Sequence, residues 1–374
     1  VIDVSSPFVD FVQNSKYVMF SGGLGTELPK IRYHLFRRYK LQSGAWSGAA
    51  NLDRPELVEA AHRRYLDAGA VVLSTNTFRT HPSDLERYLR TRKAALSKWQ
   101  YTNYANSLTR RHKIDLPGGD EEAQLKNLAE QLATLASARA VTACHKVAAT
   151  AINRPAFTLL SYGPYGDTHS YNPGKGIFLE DLDTIHIHQA TTLKQLGGDA
   201  MLPETIPTLL EAEAMKAAAR TTGLPYIASF SLNAQGALHD GTSLREAVQA
   251  VRGENLLGIA INCTPIDVIR PSLEKLLRYY DGFVGAYANG LGHAHHDGKH
   301  WCYDERTESI EAFVKANVEL AQLDPRVKFL GGCCGAGPLY ISALRQALDG
   351  LYPEQRRYER QYRCRYVSNR IAIA

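Results

Sequence analysis

The residues with the sharpest chemistry in this chain are thiols. Cys333 and Cys334 stand side by side inside a glycine run, Gly331-Gly332-Cys333-Cys334-Gly335, and Cys263 follows Asn262 far upstream. Successive side chains of a regular strand point to opposite faces, so neighbouring cysteines cannot both reach one atom from extended backbone. The flanking glycines permit the irregular backbone that would let them converge. With Cys263 they would make a three-thiolate set, and three protein ligands with one open position describe a catalytic zinc site. Two other readings stand beside it: buried thiols that are neighbours by chance, and a redox pair, whose disulfide between adjacent residues would be strained. A zinc ion on three thiolates carries one net negative charge. It polarises a carbonyl weakly, yet it can hold an incoming thiol as an electron-rich thiolate near neutral pH. The natural reaction is alkyl transfer to a substrate thiol. Water activation for deamination is the competing zinc chemistry, but the short-range motif of nucleobase deaminases is absent.

Ligands so far apart need a framework that carries them to one end. Short apolar runs fall at Tyr17–Phe20, Val71–Ser74, Phe157–Leu160, Ala200–Leu202, Tyr226–Phe230, Leu257–Ile261, Gly282–Ala286 and Val327–Leu330. Several are apolar throughout, as strands covered on both faces should be. Helix-period segments lie between them. In Pro55–Ala70, Leu57, Ala61 and Tyr65 share a face with Val58 beside it, and Ile206–Thr222, Ser243–Val251, Ile266–Tyr280, Ser309–Leu323 and Pro338–Leu351 read alike. Eight strand–helix repeats predict an α/β chain closed as a (β/α)8 TIM-type barrel over residues 1–351, rather than an open sheet. Residues 78–156 are too long for one crossover. They hold a basic, tyrosine-bearing helical segment (Asp84–Lys113), a turn at Leu116-Pro117-Gly118-Gly119 and a long helix from Glu121, and are read as an enlarged second βα unit. Residues 352–374 form a basic C-terminal extension with Arg356, Arg357, Arg360, Arg363, Arg365 and Arg370. Packing on the barrel, binding a partner and mobility are all open to it.

Chemistry in such a barrel belongs to the loops after the strands' C-terminal ends. There the chain reads Gly22-Gly23-Leu24-Gly25-Thr26-Glu27-Leu28, Thr75-Asn76-Thr77, Gly163-Pro164-Tyr165-Gly166, Pro203-Glu204-Thr205, Ser231, Asn262-Cys263-Thr264, Asn289-Gly290 and the glycine–cysteine run. These motifs, with Trp46-Ser47, the Tyr65-Leu66-x-Ala68-Gly69-Ala70 stretch and Glu204-Thr205-Ile206-Pro207, resemble the homocysteine S-methyltransferase family from about Tyr17 to Leu351. The resemblance implies a (β/α)8 barrel with one zinc ion per chain on Cys263, Cys333 and Cys334. It implies L-homocysteine as acceptor, its sulfur on the zinc, and a sulfonium methyl donor: S-methylmethionine, or S-adenosylmethionine less well. Carried over by position, Glu204 would hold the substrate ammonium, backbone amides at Gly22 and Gly23 would receive its carboxylate, and Asn289 would lie near the metal or the donor. On residue type alone, Glu204 is also a helix N-terminal acid and Asn289-Gly290 a turn. The glycine turn at 22–25 fits neither the dinucleotide nor the phosphate-loop pattern. Two departures stand out. Ser21 occupies the place where the family usually has Asp, and Ala288-Asn289-Gly290-Leu291 stands where it usually has Pro-Asn-Ser-Gly. After the latter come His293, His295, His296, Asp297 and His300, read as a mobile polar loop with a second metal site as the alternative.

Composition sets the outer bounds. A chain of 374 residues with 44% hydrophobic and 22% charged residues can bury a sizeable core. Lys+Arg 43 against Asp+Glu 38 gives a net charge of +5, too mild to point to nucleic acid. No apolar run approaches the roughly 18 residues of a membrane span. Val1 to Phe20 alternates polar and apolar residues, unlike a secretory signal, so a cytoplasmic enzyme without a membrane partner is expected. Six cysteines form no disulfide framework. Cys144 and Cys364 read as structural thiols, and Cys302, after Trp301, as a spare thiol or a fold-back contact. Three rivals to the transferase remain: a zinc hydrolase or deaminase on the same barrel, a zinc- and homocysteine-binding barrel with altered catalysis, suggested by Ser21, and, disfavoured for want of room for cobalamin and folate modules, a folate-dependent methionine synthase.

Overall fold

The apolar runs become strands because each is covered on both sides. In the computed structural model, which describes residues 6–31, 45–116, 118–165, 179–290, 294–296, 301–303 and 309–373, they form one parallel sheet. Its strands are β1 (Val18–Met19), β2 (Val72–Ser74), β3 (Phe157–Tyr162), β4 (Ala200–Pro203), β5 (Tyr226–Phe230), β6 (Leu256–Asn262) and β7 (Phe283–Ala288). After a separate antiparallel pair, β8 (Ala294–His296) with β9 (Trp301–Tyr303), the eighth barrel strand is β10 (Val327–Gly332). The order is β1-β10-β7-β6-β5-β4-β3-β2. A parallel bridge between Phe20 and Val72 closes the remaining seam, where the Ser21 N–H donates to the Val72 carbonyl at 3.0 Å. The chain is therefore a (β/α)8 barrel, and β3, β5, β6 and β10 are buried along their whole length.

Most strand-to-strand helices fall where the hydrophobic period put them. One starts later: the helix expected from Ile206 runs Leu209–Thr221, because Thr208 caps it by accepting from the Glu211 N–H. Ile206 itself still pairs with Phe230 as a bridge. The segment between β2 and β3 contains helices Pro82–Ala95, Lys98–His112 and Glu121–Ala148. They share a small apolar core of Leu85, Tyr88, Leu89, Leu108, Leu125 and Leu128.

The end of the barrel opposite the thiols is plugged by both ends of the described chain. Helix Pro7–Asn14 buries Phe8, Val9, Phe11 and Val12, with Phe8 and Phe11 each 5.1 Å from the Phe157 ring. The basic extension forms helix Glu354–Ile373 and packs on the barrel, which answers the question its sequence left open. Tyr362 is buried against Phe11, and Gln355 donates to the Tyr17 carbonyl at 3.2 Å. Arg345 is buried in a fork with Glu359 (3.0 and 2.7 Å) and reaches Asp349 at 3.0 Å. No helix among the described residues is long and apolar enough to cross a membrane.

Candidate active site

At the C-terminal mouth of the barrel the three thiols meet. Cys263 lies one residue beyond β6 with φ 49, in the left-handed region that a non-glycine residue adopts only when its surroundings hold it there. Cys333 and Cys334 follow β10 in a turn closed by the Ala336 N–H on the Cys333 carbonyl (3.0 Å), with Gly335 at φ 79. The Cys333 N–H donates to Ala288 at the end of β7 (2.7 Å), and the Cys334 carbonyl accepts from Gly290 (2.8 Å). So placed, the three sulfurs lie within 4.8 Å of one another, and those of Cys263 and Cys334 are 3.9 Å apart. None of the three is in a disulfide among the described residues. A tetrahedral zinc with Zn–S near 2.3 Å needs sulfurs about 3.8 Å apart, so the donor set fits that ion. Left to itself the Cys333 thiol opposes ionisation. Hydrogen bonding with Cys263 and then Cys334, together with burial, holds Cys333 well above the usual thiol range. A cation among the sulfurs would reverse that.

The glycine pair after β1 serves this turn by closeness. A Cβ at Gly22 would sit 1.9 Å from the Ala336 carbonyl oxygen, and one at Gly23 would sit 2.4 Å from that of Cys333. The Gly23 N–H donates to that same Cys333 oxygen at 3.0 Å. It is thus engaged within the protein rather than free for a carboxylate. Ser21 is buried beside them, its carbonyl accepting from Gly332 at 3.3 Å.

Glu204 follows β4, and the helix beyond it begins only at Leu209 with its own threonine cap. The helix-end reading of this acid therefore fails. Its carboxylate accepts from the Ser161 hydroxyl and from the Tyr287 phenol, the latter at 3.2 Å. Burial pushes its pKa up to about 7, the two hydrogen bonds pull it down, and Cys334 adds to the rise. Asn289 is buried, and neither atom of its amide has a partner among the described residues. Its backbone is pinned by donation to the Thr264 carbonyl at 3.2 Å. A buried side-chain amide without a partner is uncommon.

Two sets of residues were given no role from the sequence, although Asn262 stood in one of its motifs. Asn262, fully buried, bonds Thr205, Ser229 and the Cys333 sulfur. Behind the Gly163-Pro164-Tyr165 loop, Glu211 accepts from the Tyr165 N–H at 2.8 Å and meets His186 at 2.6 Å, while Arg79 donates to Pro164 at 2.6 Å. In the histidine-rich stretch, His295 pairs with Cys302 and His296 with Trp301 along the β8–β9 hairpin. His293, Asp297 and His300, on which a second metal site would depend, lie outside the described residues, as does Gly166.

Comparison with known proteins gives a consistent picture. The family model described as homocysteine S-methyltransferase matches residues 18–348. Homocysteine S-methyltransferase 2 of Arabidopsis thaliana is 25% identical over 348 residues, covering 91% of this chain and 95% of that protein. A selenocysteine Se-methyltransferase of Brassica oleracea var. italica is 26% identical over 346 residues, covering 89% of this chain and 89% of that protein. Among solved structures, the metallated form of the homocysteine methyltransferase MmuM from Escherichia coli has the same fold. It gives a TM-score of 0.65 at 20% identity over 91% of this chain and 99% of that one.

Proposed function

The chain belongs to the homocysteine S-methyltransferase family, and from that premise we propose that it transfers a methyl group from a sulfonium donor to the thiol of L-homocysteine, forming methionine. The donor is S-methylmethionine, with S-adenosylmethionine used less well. The observation that carries this reading is the convergence of three sulfurs from two separate loops at zinc-ligand spacing. Zinc, one ion per chain on Cys263, Cys333 and Cys334, would supply the Lewis acidity that keeps the acceptor thiol ionised at neutral pH.

The protein's own residues do the rest. Glu204, held by Ser161 and Tyr287, pairs with the substrate ammonium. With the Gly23 amide engaged, and the Glu27 amide bonded back to the Gly23 carbonyl at 3.1 Å, the substrate carboxylate falls to the Gly22 amide and to the Leu24, Gly25 and Thr26 amides that open helix Leu24–Ile31. The Asn289 amide satisfies its bonds on the bound amino acid or the donor. In the reaction the acceptor sulfur forms a new S–CH3 bond while the donor's S–CH3 bond breaks, its electron pair staying on the leaving sulfur. An anionic thiolate and a cationic sulfonium become two neutral thioethers. Charge is dispersed in that transition state, so a site poor in water favours it, and in-line positioning supplies much of the rate.

The test is methionine formation from L-homocysteine with each donor, with bound zinc quantified on the same sample. Turnover should vanish on chelation and return with zinc, and Cys333→Ser should lose zinc and turnover together. Full activity in a zinc-free Cys333→Ser protein would overturn the assignment. Ser21 motivates one rival, a binding barrel without turnover. It would retain stoichiometric zinc and bind homocysteine while forming no methionine.

A further inference from the structure

We propose that Asn262 is a positioning residue that ties the amino-acid pocket to the thiol cluster, fixing the turn beside Glu204 while donating an N–H to the Cys333 sulfur. The inference rests on the functional reading above. Asn262 ends β6 and has no exposed surface. Its side chain uses every polar valence it has. Oδ1 accepts from the Thr205 N–H at 3.0 Å and the Ser229 hydroxyl at 2.7 Å, and Nδ2 donates to Thr205 Oγ1 at 2.9 Å and to Cys333 Sγ at 3.9 Å. A side-chain amide offers two donors and two acceptor lone pairs at one point, which a carboxylate or a hydroxyl cannot match.

What the amide holds is strained. Thr205 has φ 61, a left-handed conformation that a β-branched residue does not take unaided. Two bonds to Asn262 keep it there. Thr205 shares a peptide with Glu204, so letting it relax to negative φ would turn the carboxylate away from its place. Cys263, covalently joined to Asn262 on the other side, is left-handed as well, at φ 49. A relay of hydrogen bonds closes the connection. Ser161 and Tyr287 hold Glu204, Ser229 bonds Tyr287, and Ser229 donates to Asn262, which reaches Cys333. The N–H on sulfur also spreads thiolate charge and orients that ligand, the part outer partners play at metal sites.

Four variants separate the two duties: Asn262→Asp, Asn262→Ala, Thr205→Gly and the double variant Asn262→Ala/Thr205→Gly. Each is assayed for zinc affinity by chelator competition, and for homocysteine KM and kcat at saturating zinc. Asn262→Asp keeps acceptors for the Thr205 N–H and hydroxyl but loses the donor to sulfur. Its zinc affinity should drop about 10- to 100-fold with little change in KM. Asn262→Ala should lose zinc affinity to the same degree and raise KM roughly tenfold. Glycine adopts φ 61 without strain, so the double variant should recover KM toward wild type while zinc affinity stays low. Wild-type zinc affinity in Asn262→Asp, or no recovery of KM in the double variant, would overturn the proposal. If Asn262→Ala does not fold, Asn262→Asp still decides the sulfur contact. Thr205→Gly then decides the strain: a KM near wild type supports it, and a large KM increase refutes it. A wild-type protein that forms no methionine would instead refute the functional reading, and the zinc-affinity arm would still test Asn262.

Discussion

Replacing Glu204 by glutamine should stabilise the ligand-free protein at pH 8 while removing its hold on homocysteine. The carboxyl is raised from 4.5 to about 7, chiefly by burial and only partly offset by Ser161 and Tyr287. Moving an acid that far penalises its ionised folded form by roughly 3 kcal/mol. The sign follows from which state holds the proton. Below pH 4.5 the group is neutral in both states and the penalty is absent. It grows between 4.5 and 7, as the unfolded chain ionises first, and is complete above 7. Glutamine is nearly isosteric, accepts from Ser161 through its oxygen, and can donate to the Tyr287 phenol oxygen, so Glu204→Gln escapes the penalty. With an unfolding entropy near 0.8 kcal/mol/K for a chain of this length, the variant's Tm should rise by about 4 °C at pH 8. At pH 5 the gain should shrink to about 1 °C, since little of the penalty remains there. Calorimetry at the two pH values, at matched metal content, measures this directly. In turnover assays, wild-type KM for homocysteine should fall as pH rises through about 7 and Glu204 ionises. Glu204→Gln should have a high KM without that limb. A variant no more stable than wild type at pH 8, or equally stabilised at pH 5 and pH 8, would refute the reasoning.

Other perturbations probe the same framework. Gly23→Ala would place a methyl 2.4 Å from the Cys333 carbonyl oxygen, a backbone atom that cannot simply rotate away. It should cost about 1–3 kcal/mol and lower zinc stoichiometry, read by calorimetry and metal analysis. Asn289→Ala removes an amide with no partner among the described residues, so the ligand-free Tm should hold or rise slightly while kcat/KM falls. Glu359→Ala leaves Arg345 buried with Asp349 as its remaining acid and should cost about 3 kcal/mol. It lies at the far end of the barrel, so zinc content and KM should not move.

The barrel was legible because parallel strands covered on both faces leave unbroken apolar runs, such as Leu257–Ile261 in β6 and the whole of β7. The thiol set was legible because adjacent cysteines among glycines have few structural uses. Helix Leu179–Leu196 was harder to see. Its inner face carries His186 and Gln189 beside Leu182, Ala190 and Leu193, so the polar residues blur the period. Helix Pro7–Asn14 is short and buries two adjacent pairs, Phe8-Val9 and Phe11-Val12, which read locally as alternation. The role of Glu204 could not be settled from residue type, because an acid after a strand and before a helix serves either purpose. The late helix start at Leu209 removes the helix-end reading, which only the folded chain could show. The role of Asn262 was hidden for a similar reason: its four bonds join β6 to Ser229 of β5, to Cys333 just after β10 and to Thr205 in the loop after β4, which no local pattern relates.

The electrostatics of the mouth explain why such a site would suit this reaction. Three thiols and a carboxylate gather there, and Tyr287 is held well above the usual phenol range, by burial first and then by the neighbouring Glu204. The charge acting on Glu204 comes from Cys334, with none from Lys or Arg among the described residues. Buried acids packed together are costly to ionise until positive charge arrives. On the proposed reading every component brings one: the metal to the sulfurs, the substrate ammonium to Glu204, the sulfonium to the acceptor thiolate. Ser21 bears on this balance. Its backbone joins the loop that carries Cys333, so a carboxylate there would add another negative group to the mouth. Ser21→Asp should therefore push Glu204 further up and move the fall of homocysteine KM to higher pH.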